Sequence, residues 1–146
     1  MTLPDGVQLS DLRGHRTAPT LTGPQRRQLQ EELLQRVAAC DWCTIGVMAP
    51  DRRAAWAALR SFEQALCWPP LGAPEQEEGI EGPVFLKGHQ RTGQVVLREE
   101  AGLGQGVLLT GHCASNPDLE DTWGPLPLDF FGVDPSQGSE LGTVGL

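Results

Sequence analysis

Apolar residues change their spacing once along this chain, and that change limits what the chain can fold into. Leu29, Leu33 and Val37 recur every four residues, which is the spacing of one face of an amphipathic helix. From Pro83 onward apolar residues alternate with their neighbours, as in half-buried strands. A helical part followed by a strand-rich part predicts an α+β fold, with an antiparallel sheet of about four strands packed against two main helices.

Both helices have predictable beginnings. Thr22 stands before Gly23 and Pro24 and is the expected N-cap of the first helix, because proline is tolerated in a first turn. Asp51, directly after Pro50, is the expected N-cap of the second helix. That helix carries a spaced set of apolar residues, which predicts one buried face made of Ala55, Ala58, Leu59, Phe62 and Leu66.

Four strands are predicted. The first is residues 42–49, a short run between the helices that ends at Pro50. Three more follow, and each carries an alternating apolar pair: Val84 and Leu86, Val95 and Leu97, Val107 and Leu109. Residues 89–93 and the glycine-rich stretch 99–106 separate these pairs. They predict two hairpin turns that join the last three strands into an antiparallel meander.

The length of the chain, 146 residues, is that of one ordinary domain. We expect residues 1–21 to form an N-terminal arm that either docks or stays mobile. Residues 22–131 are predicted to form the single α+β domain, and residues 132–146 a flexible glycine-rich tail. The expected molecule therefore has one core and two loose ends.

The predicted domain ends in a segment, residues 123–131, in which apolar residues are crowded between prolines. We call it the closing segment. Its prolines oppose both a helix and a central strand. Two interpretations stay open, because the segment could cover the sheet or could offer an apolar patch to a partner protein. Its candidate interaction residues are Trp123, Leu126, Leu128, Phe130 and Phe131.

The chain is acidic, with 19 Asp and Glu residues against 11 Lys and Arg residues and a formal net charge of −8. Phosphate backbones and anionic lipid headgroups repel such a surface, so we expect neither nucleic-acid nor membrane binding. The apolar runs are far shorter than the ~20 residues that a membrane span needs. The N-terminus lacks the pattern of a signal peptide. A cytoplasmic protein with four reduced cysteines is therefore expected.

Cys40 and Cys43 have the spacing of a thioredoxin-like redox pair. They follow the C-terminal end of the first predicted helix, where the helix dipole favours the neutral thiol. Buried structural thiols are the favoured interpretation, and redox sensing is the weaker one. His112 and Cys113 make a poor second pair of metal ligands, because adjacent strand residues point to opposite faces. No metal or other cofactor is predicted.

A candidate cleft lies at the end of the last predicted strand. A histidine is followed there by acidic residues that could serve as acid–base groups: His112, Asp118, Glu120 and Asp121. A solvated acidic loop is the simpler interpretation. No serine lies in a GxSxG sequence, and no catalytic residue is assigned.

Three blocks of sequence together resemble a family of small cyanobacterial proteins of unknown function. They are residues 41–66, the strand entry 82–87, and the Trp-Gly-Pro-Leu-Pro-Leu-Asp-Phe-Phe sequence of the closing segment. The Gly-x-Leu-Pro-Leu-Asp-Phe ending is the most specific element. This resemblance covers about residues 24–131. It implies an α+β domain with an antiparallel sheet in a cyanobacterial cytoplasm, and it supplies no catalytic residues.

The sequence favours a non-enzymatic protein of the interaction, adaptor or assembly type, with a protein partner of unknown identity. The oligomeric state of the chain itself is left open. The alternative is a small-molecule-binding protein or minor enzyme that uses the strand-end cleft around His112. Redox sensing through Cys40 and Cys43 is the third hypothesis.

Overall fold

The computed structural model describes residues 6–72, 81–100, 104–113 and 120–132. Within them lie two α-helices, a short 3₁₀ helix and one antiparallel sheet of five strands, which confirms the predicted α+β class. In chain order the elements are the 3₁₀ helix Leu9–Leu12, α1 (Gly23–Ala38), β1 (Trp42–Ala49), α2 (Arg52–Leu66), β2 (Val84–His89), β3 (Val95–Glu99), β4 (Gly106–His112) and β5 (Asp121–Leu126).

Side chains cap the N-terminal ends of both α-helices, as predicted. Thr22 Oγ1 accepts a hydrogen bond from the Gln25 amide at 3.2 Å, and Gln25 Oε1 accepts one from the Thr22 amide at 2.9 Å. At the start of α2, Asp51 Oδ1 accepts a bond from the Ala54 amide at 2.8 Å. Each bond satisfies an amide that has no acceptor inside its helix, so local side chains set where the helices begin.

The strand order of the sheet is β3-β2-β1-β4-β5, with β1 at the centre. β2 and β3 form the predicted hairpin, but β4 pairs with β1 and not with β3. The predicted meander is therefore wrong, because residues 99–106 connect two strands, β3 and β4, that lie on opposite sides of β1. Residues 101–103 of this connection lie outside the described residues. Alternation tells which face a residue occupies, and it does not tell which strand lies beside it.

The fifth strand, β5, was not predicted. It pairs with β4, with Trp123 opposite Leu109 and Leu126 opposite Val107, and a bulge separates these two pairs. Pro125 falls inside that bulge, on a strand at the edge of the sheet. Prolines oppose central strands, but edge strands and bulges accept them because no ladder hydrogen bond is lost there. The closing segment therefore begins as a strand.

The two faces of the sheet are unlike each other. On one face, which we call the helix side, Ile45, Val47 and Leu86 join Leu33 of α1 and Phe62 of α2 in one buried cluster. Alternate residues of the same strands point the other way, and most of them are partly buried or exposed. Within the described residues no helix packs on that second face, which we call the open face.

The described part of the N-terminal arm docks on the domain. Val7, Leu9 and Leu12 are buried in the main hydrophobic cluster, and the 3₁₀ helix packs against β5. The Leu9 amide donates a hydrogen bond to Glu32 Oε1 of α1 at 3.0 Å. Of the predicted tail, only Gly132 belongs to the described residues. No helix in the described ranges has the length and apolar character that crossing a bilayer requires.

Candidate functional site

The closing segment is held against both α-helices. Phe130 is fully buried and stacks on Phe62 of α2 with ring centroids 6.1 Å apart. Phe131 meets the edge of each of these rings, at 5.0 and 4.8 Å. Gln30 Nε2 donates to the Phe130 carbonyl at 2.7 Å, and an Arg26 guanidinium NH donates to the Asp129 carbonyl at 2.6 Å. The segment covers one end of the core.

This packing changes the role of the candidate interaction residues. Trp123, Leu126 and Phe130 are between 0% and 4% exposed, so they are core residues with no surface to offer a partner. Leu128 and Phe131 are partly buried and pack against the same core. Leu128 alone of the five also lines a groove of about 990 Å³ that runs between residues 17–21, α2 and the closing segment.

Among the described residues of the candidate cleft, His112 and Glu120 come together, and Asp121 does not join them. His112 ends β4 on the open face, and its Nδ1 lies 2.7 Å from Glu120 Oε2. Asp121 instead accepts a hydrogen bond from an Arg13 guanidinium at 2.5 Å, where the docked arm meets β5. Asp118 lies outside the described residues. The acidic partner of His112 is therefore Glu120, and Asp121 serves to fasten the arm.

An aromatic row crosses three strands at one end of the open face. The Trp42 ring lies between His89 and His112, with centroids 4.5 and 3.8 Å apart and planes inclined by 20° and 12°. His89 Nδ1 accepts a hydrogen bond from the Thr92 amide at 3.2 Å. His112 Nε2 is buried and has no hydrogen-bond partner. The row exists because β1 lies between β2 and β4, which the predicted meander did not allow.

A row of three threonines runs beside the aromatic row. Thr44 lies opposite Thr110 in the pairing of β1 with β4, and Thr110 lies opposite Thr122 in the pairing of β4 with β5. The hydroxyls of Thr110 and Thr122 are 3.0 Å apart and hydrogen-bonded to each other. Neighbours across a sheet have side chains close enough for such contacts.

The other half of the open face is apolar with a cationic border. Val96 is 59% exposed. The Arg98 guanidinium lies 5.1 Å from the centre of the Phe85 ring and pairs with Glu100 at 3.0 Å. Lys87, the only lysine of the sequence, is exposed and lies on β2 between Phe85 and His89 of the aromatic row. A depression of about 370 Å³ on this face is lined by Phe85, Lys87, Val96, Arg98, Gly46, Leu108 and the three threonines.

Chemically, this face is equipped for binding more than for bond making. The His112–Glu120 pair could hold or pass a proton, but the nearby hydroxyls of Thr110 and Thr122 bond to each other, and no described hydroxyl or thiol bonds to His112. A nucleophile needs a base within hydrogen-bonding reach. Among the described residues no group of three His, Cys, Asp or Glu side chains is arranged to hold a metal ion.

The two cysteines of the CxxC sequence lie at the end of α1. The Cys40 thiol donates to the Arg36 carbonyl at 3.3 Å, and Cys43 is fully buried. Burial raises the pKa of the Cys40 thiol, and burial with the neighbouring Cys40 raises the pKa of Cys43 to about 12. Both thiols are therefore neutral near pH 7, as their place after a helix C-terminus indicated.

Comparison with known proteins bears on the whole domain. The model of a family described as a domain of unknown function (DUF1824) matches residues 7–131. The chain belongs to this family. The match begins at Val7, so the DUF1824 domain includes the docked arm as well as the part that the sequence blocks covered. No curated protein matches the chain.

A solved structure agrees with this assignment. The crystal structure of an uncharacterized protein from Anabaena variabilis, a cyanobacterium, is similar to the DUF1824 domain described above with a TM-score of 0.73 and 25% sequence identity. The similarity covers 84% of this chain and 92% of that one. The resemblance to a cyanobacterial family of unknown function, drawn from three sequence blocks, is thereby confirmed.

Proposed function

We propose that this DUF1824 protein is a non-enzymatic interaction protein, of the adaptor or assembly type, and that the open face of its sheet contacts a partner protein in a cyanobacterial cytoplasm. The exposure of Val96, 59% of its surface, on β3 at the edge of an uncovered sheet face carries this proposal. Only one other large apolar residue among the described ones is exposed, Leu34 of α1 at 43%. Exposed apolar surface within a polar border is typical of protein interaction sites.

The composition of the open face indicates the kind of partner that would fit it. Trp42, Phe85 and Arg98 are residue types that often dominate the binding energy of interfaces. Lys87 and Arg98 border the apolar part, although the whole chain carries a net charge of −8. A complementary partner therefore presents an apolar patch flanked by carboxylates, which Lys87 and Arg98 would attract.

The closing segment is a poorer candidate for the interface. Its largest side chains are buried, and exposing Phe130 would require opening the core around Phe62. The binding energy would then have to offset the core packing that is lost when Phe130 is exposed. The open face needs no such rearrangement, so the proposal places the interface there.

The first test uses Lys87, because acetylation of primary amines in the expressed chain can modify only this side chain and the α-amino group. Candidate partners are captured on the immobilised protein from a cyanobacterial lysate and identified. A purified candidate is then titrated against the protein during acetylation. A true partner protects Lys87 in a saturable manner and leaves the α-amino group unprotected. Equal labelling of Lys87 with and without every candidate would overturn the proposal.

The second test uses two matched variants. Val96→Asp puts a carboxylate on the open face, and Leu34→Asp puts one at the other exposed apolar position. We expect Val96→Asp to raise the dissociation constant at least about tenfold, which corresponds to about 1.4 kcal/mol, because it buries a charge in the interface. Leu34→Asp should leave the constant within a factor of about two. Equal effects of the two variants would place the interface elsewhere.

A second candidate function, the binding of a small molecule beside His112, is supported by one observation. His112 Nε2 is buried without a hydrogen-bond partner, and buried polar atoms usually have one. A ligand that bonds to this nitrogen should raise the melting temperature, and His112→Ala should abolish the increase. Val96→Asp should keep the increase, because β2 and β1 separate Val96 on β3 from His112 on β4. A metabolite panel that produces no increase would eliminate this candidate.

A further inference from the structure

Three of the four cysteines meet at one corner of the helix side, where α1 ends. Cys40 Sγ lies beside Gly111 of β4, which is opposite Cys43 and two residues before Cys113. Cys113 donates to the Ala39 carbonyl at 3.8 Å, and the Asp41 amide donates to the His112 carbonyl at 2.9 Å. These two hydrogen bonds, at Ala39 and at Asp41, lie on either side of Cys40 and join the chain after α1 to the end of β4.

Strand geometry explains why these sulfurs meet. Cys43 lies opposite Gly111 in the pairing of β1 with β4, on the helix side of the sheet, and Cys113 follows the end of β4 two residues after Gly111. A Cβ atom at Gly111 would collide with Cys40 Sγ and with the Trp123 ring. The absence of a side chain at Gly111 therefore makes the space in which the Cys40 sulfur lies.

The four thiols differ in access to solvent. Cys40 and Cys113 are half-buried, Cys43 is fully buried, and Cys67 is exposed at the end of α2. Small oxidants in solution can reach Cys40 and Cys113, while Cys43 is shielded. Cys67 is more exposed than either, but it lies at the end of α2 and not at the corner where α1 ends.

We propose that Cys40 and Cys113 are a modification site, a thiol pair that hydrogen peroxide converts into a disulfide. This inference concerns the corner behind the aromatic row and does not depend on the proposed partner. It differs from redox sensing by Cys40 and Cys43, because the reacting partner, Cys113, follows directly after β4, 73 residues along the chain, and does not belong to the CxxC sequence.

The reaction has two steps. The Cys113 thiolate attacks one oxygen of hydrogen peroxide, the O–O bond breaks, and hydroxide leaves to become water, so that Cys113 carries a sulfenic acid. The Cys40 thiolate then attacks the Cys113 sulfur and displaces the hydroxyl group, which leaves as a second water molecule after taking up a proton. The two thiols lose two electrons and two protons in total, and the peroxide is reduced to water. Burial raises the pKa of Cys40, so the second step should accelerate as the pH rises.

Peptide mapping of the wild-type chain tests the inference directly. The folded protein is treated with hydrogen peroxide, remaining thiols are alkylated under denaturing conditions, and the digest is analysed by mass spectrometry before and after reduction. We expect one intramolecular cross-linked peptide pair, joining Cys40 to Cys113, that disappears on reduction, while Cys43 is alkylated in full. Alkylation of Cys40 and Cys113 after the treatment, or a bond from Cys40 to Cys43, would refute it.

Three serine variants complete the design. Cys40→Ser and Cys113→Ser should each abolish the cross-linked pair, and Cys67→Ser, at the exposed thiol outside the cluster, should retain it. Circular dichroism before oxidation establishes that each variant is folded. Persistence of an intramolecular disulfide in Cys113→Ser at wild-type yield would contradict the assignment. The wild-type peptide map decides the outcome even if one variant fails to fold.

Discussion

The helix side and the open face belong to the same five strands, yet their side chains differ in burial. On the helix side Ile45, Val47 and Leu109 are fully buried against α1 and α2. On the open face the neighbouring positions Thr44, Gly46 and Leu108 are partly exposed. Close packing makes substitutions on the helix side costly, whereas a substituted side chain on the open face can extend into solvent. The helix side therefore holds the packing that stabilises the fold, and the open face keeps solvent-exposed surface.

The largest effect is expected from the closing segment on the helix side. Phe130→Ala should lower the free energy of unfolding by about 3–5 kcal/mol, because it leaves a cavity beside Phe62. Urea denaturation of wild type and variant measures the difference. Phe85→Ala, which truncates the same residue type on the open face, is the matched control and should cost clearly less. Similar losses for the two variants would remove the distinction between the faces.

Two glycines on the neighbouring strands β1 and β4, one facing each side of the sheet, allow a sharper comparison of the two faces. Gly111→Ala, on the helix side, should cost about 1–3 kcal/mol, since its methyl group collides with Cys40 Sγ and the Trp123 ring. Gly46→Ala, on the open face, should cost less than about 1 kcal/mol, because the nearest atom belongs to the partly exposed Phe85 ring, 3.2 Å away, which can move. Thermal unfolding of both variants gives the ranking. A more costly Gly46→Ala would reverse it.

The helix side should also respond to alkaline pH. Burial raises the pKa of Cys43 from 9.0 to about 12, so the folded state keeps this proton at pH values where the unfolded state loses it. Stability contributed by the neutral thiol is complete below pH 9 and declines as the pH rises toward 12, by at most about 1.4 kcal/mol per pH unit.

Urea denaturation at a series of alkaline pH values measures this decline. The control is Cys43→Ala, whose slope with pH should be shallower than that of wild type, whatever its stability at pH 7. Cys67→Ala removes an exposed thiol and should retain the wild-type slope. Parallel curves for wild type and Cys43→Ala would show that Cys43 ionises equally in both states.

The smallest effect is expected on β3, the exposed edge strand of the open face. Val96→Asp should change the free energy of unfolding by no more than about 0.5 kcal/mol, because the side chain is 59% exposed in the folded protein. Chemical denaturation measures it. A loss as large as that of Phe130→Ala would mean that Val96 is covered, and the binding surface would then lie elsewhere.

Helix positions were predictable because their determinants are local. Thr22 and Asp51 cap helices with bonds to amides three residues away, and such a pattern is visible in the sequence. Strands β1 to β4 were predictable for a similar reason, since alternation repeats every second residue. β5 was missed because a proline in the sequence opposes a central strand, and only the sheet order reveals that this strand lies at an edge.

The sequence by itself determined the α+β class, the ends of the helices, the acidic charge and the membership of the family, because composition, caps and short blocks of residues carry that information. Only the tertiary structure decided that Phe130 is core, that Glu120 and not Asp121 serves His112, and that Trp42 lies between two histidines. These outcomes depend on which strands are neighbours and in which register. Pairing between distant strands is a long-range property that spacing along one strand does not encode.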